Sequence, residues 1–138
     1  YEVTGTDERY YPPLSEKKME RIQKDLKTIL KSARKIEEFS FSNVNDTFNI
    51  PNIDFLKYGK NIKSITIAYA NVKDYSVLEK CSKLQSIALW HSDIDSAEDL
   101  LSLKNINELL LTDTPLAQNE KEISKLQKAF PDAWIITE

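Results

Sequence analysis

Cysteine and histidine each occur once in this 138-residue chain, and glycine only twice. Each scarcity excludes a class of chemistry. The lone Cys81 cannot form an internal disulfide or supply a zinc cluster by itself. It falls at a core position, which suits a buried, inert thiol. The lone His91 lacks the further ligands that a metal site needs, and no nucleophile is placed beside it for a triad. It lies two residues after Leu89 with Asp93 close by, and reads as a surface residue. Gly5 and Gly59 are too few to build a glycine-rich phosphate cradle. No apolar run reaches 18 residues, so no membrane span is expected. No secretory signal is present in the chain, which starts at Tyr1 rather than Met. That start is expected to reflect removal of an upstream segment, with a lean towards an exported or cell-envelope protein. The net charge of −3 speaks weakly against nucleic acid as the main partner. No cofactor, metal or catalytic residue is read from the sequence.

What the chain does have is a period. Ile62-Lys-Ser-Ile65-Thr-Ile67, Leu84-Gln-Ser-Ile87-Ala-Leu89 and Ile106-Asn-Glu-Leu109-Leu-Leu111 start 22 residues apart. Each runs on to a further apolar residue, Val72, Ile94 or Leu116. Ile87 and Leu89 are two apart, so they share one face of a short strand, while Ser86, Ala88 and Trp90 face the other way. A return leg follows with apolar residues at every third place: Val72, Tyr75, Leu78, Cys81 in one unit and Ile94, Ala97, Leu100, Leu103 in the next. That spacing suits a 3₁₀-like leg. Ile36, Phe39 and Phe41 begin an earlier, 26-residue unit whose extra residues fall in the Ser42–Asn49 loop.

A fixed period of this size belongs to solenoids, whose units bury their apolar faces only by stacking. The phrase resembles L-x-x-L-x-L-x-x-N/C-x-L of the leucine-rich repeat family, in its short 22-residue, bacterial form. The resemblance covers residues 36–138. It implies an α/β solenoid: a short right-handed arc with a parallel sheet on the concave face. About five strands are expected, centred near Phe39, Thr66, Ala88, Leu110 and Ile135. The ninth position, usually Asn, holds Ala70, Ser92 and Thr114. Ser and Thr can still bond loop backbone, whereas Ala cannot.

The two ends read as caps. Residues 1–14 form an extended leader with Pro12 and Pro13, whose Tyr10 and Tyr11 either pack on the first element or form a free arm. Residues 15–35 read as a capping helix opened by Ser15, with a stripe of Met19, Ile22, Leu26, Ile29, Leu30, Ala33 and Ile36. Eight Lys/Arg against three Asp/Glu give this segment +5 and leave −8 on the rest. Its basic face (Lys17, Arg21, Lys24, Lys31, Lys35) is either a solvated surface or a patch for an acidic partner or membrane. Residues 117–129 read as a second helix stopped by Pro131, and residues 133–137 as a last strand. Together they resemble the helix–strand closing unit of the family.

The outward sheet positions are mostly small, with Trp90 and Leu110 as exceptions. The eighth positions add Tyr69, His91 and Asp113. Tyr69, Trp90, His91, Leu110 and Asp113 are therefore the candidate partner-binding residues, with the Ser42–Asn49 loop as a second contact. The competing reading is that Trp90 packs beneath a flanking loop. The resemblance implies a non-catalytic protein–protein interaction module, monomeric, with a protein partner. Two alternatives stand beside it: a hydrolase using rim carboxylates on a glycan or small molecule, and an accessory domain of a longer chain.

Overall fold

The computed structural model describes residues 15–42 and 48–138. The leader with Tyr10 and Tyr11, and residues 43–47 of the expected loop, lie outside them. Ser15 takes extended backbone and its hydroxyl accepts the Lys18 N–H at 3.3 Å, which opens helix α1 (Glu16–Ser32). The helix stops short of the expected Lys35 because Ala33 leaves helical geometry (φ −95°, ψ 78°). Met19, Leu26 and Leu30 are buried, whereas Ile29, at the margin of the stripe, is 37% exposed rather than in the core. Met19, Ile22 and Leu26 face Phe39, Phe41, Ile53 and Phe55, so α1 covers the start of the sheet.

Strands β1 (Glu38–Ser42), β2 (Phe48–Ile50), β3 (Ser64–Ala68), β4 (Ala70–Val72), β5 (Ser86–Ala88) and β6 (Glu108–Leu110) follow; then come helix α2 (Glu120–Ala129) and β7 (Trp134–Ile136). Five of the strands form one sheet in the order β1-β3-β5-β6-β7, and every neighbouring pair is parallel. The expected centres lie within one residue of those observed. Register aligns Phe39, Ile65, Ile87, Leu109 and Ile135 in one row. The 22-residue period is therefore the step from β3 to β5 and from β5 to β6, while the first and last steps are 26 residues. Fully buried Ile65, Ile67, Ile87, Leu89, Leu109 and Leu111 alternate with outward residues, so one face of the sheet supplies the core.

The return legs contain the expected tight turns, as 3₁₀ segments at Asp54–Tyr58, Ser76–Lys80, Glu98–Leu100 and Leu116–Gln118. A second, two-stranded parallel sheet, β2 with β4, was not anticipated. It forms where Asn49 and Asn71, one period apart, lie side by side, Asn71 Nδ2 donating to Asn49 Oδ1 at 3.4 Å. The second helix starts three residues later than the pattern suggests. Residues 116–118 wind as a separate 3₁₀ turn after Pro115. Asn119 then takes extended backbone, and its side chain accepts the Lys121 and Glu122 N–H groups.

Polar groups join successive units. Lys83 Nζ donates to Asn61 Oδ1 at 2.7 Å, Asn105 Nδ2 donates to the Ser82 carbonyl at 3.2 Å, and Asn61 Nδ2 donates to the Arg34 carbonyl. Carboxylates of each following segment cap the preceding leg: Asp99 accepts the Tyr75 N–H at 3.1 Å, and Glu122 accepts the Ala97 N–H at 2.8 Å. At the ninth positions, Ser92 Oγ donates to the Leu89 carbonyl at 2.5 Å and Thr114 Oγ1 to the Leu111 carbonyl at 2.6 Å, both buried. Ala70, with no hydroxyl, is fully buried.

Candidate functional site

Just beyond the phrases that start at Ile62, Leu84 and Ile106 the chain must swing from outward seventh positions to buried ninth positions in one residue. Tyr69 (φ 53°), His91 (φ 51°) and Asp113 (φ 57°) do this by adopting left-handed backbone. Asp and His enter that region more readily than most residues, whereas a bulky Tyr does so at a cost of about 1–2 kcal/mol. Glycine would relieve the strain, yet each position carries a side chain that can act. Strain of this kind is held only where the surroundings over-determine it. Here the ladder supplies that restraint: the Leu89 N–H donates to the Leu110 carbonyl at 2.8 Å and the His91 N–H to the Thr112 carbonyl at 3.0 Å.

The Tyr69 ring is half-buried between two neighbours. It meets Trp90 edge-on at 5.1 Å between centroids and His91 at 4.4 Å with an interplanar angle of 36°. Trp90 thus packs against an aromatic from the preceding unit, half-buried, with its outward row continued by Thr112. His91 is exposed. Leu110 is half-buried on the outward face, flanked in register by Ala88 and Ile136. Asp113 repeats the backbone geometry and is exposed, but makes no hydrogen bond or ion pair among the described residues. Three of the five candidate residues are therefore in contact, one adjoins them on the sheet, and one stands apart. Ala68, an outward position, is fully buried.

The sequence reading missed Trp134, which is 69% exposed. Its register partner is Glu108, at a third, outward position of the phrase. Counting the last strand as another copy of the phrase would have placed it on the same face. Asp93, two residues beyond His91, is not a free solvated carboxylate. Instead, its Oδ1 accepts both the Val72 N–H and the Tyr75 hydroxyl at 3.0 Å, tying one return leg to the next. Burial, with the Asp93 charge adding to it, pushes the Tyr75 hydroxyl well above the usual tyrosine range.

No cluster of three or more His, Cys, Asp or Glu that could hold a metal occurs among the described residues. Glu108 accepts the Ser86 hydroxyl at 3.3 Å. Two open cavities of about 350 and 290 Å³ lie beside α1; the first has no carboxylate in its lining and the second only Asp54. Among the described residues no helix is long and apolar enough to cross a membrane. No family model matches this chain, and no curated protein is significantly similar to it.

Proposed function

We propose that this chain is a short leucine-rich repeat solenoid. It forms a right-handed arc with its five-stranded sheet on the concave face, and α1 and the α2–β7 unit close its two ends. In this reading it is a non-catalytic module that binds a partner protein through the concave face. The 22-residue strand step, the 3₁₀ return legs and the buried phrase positions support the architecture. The observation that carries the functional reading is the Tyr69–Trp90–His91 cluster, with Tyr69 and His91 on left-handed backbone, at the edge of an outward face of mostly small residues. Rigid aromatics beside polar groups are the usual anchors of protein interfaces. Leu110, Ile136 and Trp134 extend the apolar surface towards the last strand. Rim-carboxylate hydrolysis finds less support, since Asp93 and Glu108 are each engaged with a hydroxyl of the fold.

The test is affinity capture from an extract of the native source with wild type and Trp90→Ala, both checked for folding by circular dichroism. Truncation of the anchor is expected to weaken the captured complex by about 2 kcal/mol or more, roughly 30-fold. Equal capture of the same partner by both proteins would remove the concave edge as the site.

A further inference from the structure

The cations of α1 do not lie along one solvated stripe. Lys27 and Lys31 converge with Lys57, from the 54–58 turn, on a single ring. Their Nζ atoms lie 5.6, 4.6 and 5.3 Å from the Tyr58 centroid. The negative face of one phenol offsets part of the mutual repulsion of three ammonium groups, and each contact at an exposed site is weak. On either side of Tyr58 opens a cavity. Lys31, Arg34 and Lys60 line the larger; Lys24, Lys27 and Lys57 line the smaller. Among the described residues none of these six cations is in an ion pair, whereas Lys63 pairs with Glu37 and Lys125 with Glu122. The floor is apolar, from Leu30 and Ile36 on one side and Phe55 on the other.

We propose that this groove between α1 and the 54–58 turn binds an acidic peptide segment of a partner protein, with carboxylates entering both cavities across Tyr58. The site is separate from the sheet face and does not depend on the reading given to it. Charge complementarity defines the ligand as anionic. Three features favour a peptide. The cations rim two recesses rather than a broad surface, so they suit individual side chains. The apolar floor and the Tyr58 ring can take the methylenes of glutamate as well as its charge. Lys24 to Lys31, which line the two recesses, spans about 10 Å of helix, which an extended chain covers in roughly three residues. A nucleic-acid duplex or an anionic membrane would instead meet a molecule whose net charge outside residues 15–35 is −8.

The experiment is fluorescence anisotropy of labelled hexaglutamate at low ionic strength, where exposed charges are least screened. The full chain is compared with Lys27→Gln/Lys31→Gln/Lys57→Gln and with the charge-matched control Lys104→Gln/Lys121→Gln/Lys128→Gln. All six side chains are exposed, and circular dichroism confirms folding. Lys31→Gln alone serves if the groove triple does not fold. Hexaglutamate should bind wild type and the control alike, hexaglutamine neither. The groove triple should lose affinity by about tenfold or more, as three exposed ion pairs lost together imply. No binding to wild type, or equal loss in both triples, overturns the site. Tighter, groove-dependent binding to vesicles containing anionic phospholipid, or to single-stranded RNA, overturns the peptide as its occupant.

Discussion

Leu89→Ala measures how much one phrase position contributes to the stack. Leu89 is fully buried in the column formed by the sixth positions Phe41, Ile67, Leu89 and Leu111, all within the core. The substitution removes three carbons, about 2.4 kcal/mol of transfer free energy at ~0.8 kcal/mol per methylene. A cavity is left between strands fixed on both sides by parallel ladders, so the neighbours relax little and the total falls in the range of about 2–5 kcal/mol. At roughly 3–4 °C per kcal/mol for a chain of this size, the thermal midpoint should fall by about 6–20 °C. Lys24→Ala, at an exposed position of α1, should cost less than about 0.5 kcal/mol and move the midpoint by no more than about 2 °C. Far-ultraviolet circular dichroism melts of the two variants decide the matter. Equal midpoint shifts would mean that the inward and outward faces have been exchanged.

Thr114→Ala should destabilise by about 1–3 kcal/mol in chemical denaturation. It removes the donor to the Leu111 carbonyl and the acceptor of the Ala117 N–H. Gly59→Ala should also destabilise, by about 1–3 kcal/mol, because a Cβ there would overlap Ile62 Cδ1 and sit 2.9 Å from its Cγ1, and Ile62 is fully buried. The check is the same denaturation midpoint, and an unchanged value would mean that Ile62 can shift aside. Burial pushes the Cys81 thiol from 9.0 up to about 11, and Tyr75 moves in the same direction. The unfolded chain therefore loses these protons first, so stability present below about pH 9 should fall as pH rises towards 11. Cys81→Ala should show a shallower decline across that window, and an identical slope would refute the assignment.

The sequence alone determined the period, the inward residues of the strands, and the presence of a helix before the repeats and of a helix and strand after them. These are one-dimensional facts: a spacing of two puts Ile87 and Leu89 on one side of a strand, and a spacing of 22 repeats that strand. A buried position needs only an apolar side chain, so composition records it directly. The five candidate site residues were also legible as outward positions, because outwardness follows from the same alternation. Which of them touch was not. Tyr69 reaches Trp90 and His91 while Asp113 stands apart, and the difference lies in side-chain reach between units rather than in register. The left-handed backbone at 69, 91 and 113 was hidden because no glycine marks it. Asp93 became a bridge only when the fold set it beside Tyr75, 18 residues earlier. Lys57 joined Lys27 and Lys31 only because α1 lies against the 54–58 turn. Polar and charged groups find partners wherever the packed chain leaves them, and no local pattern encodes that encounter; tertiary structure decided it.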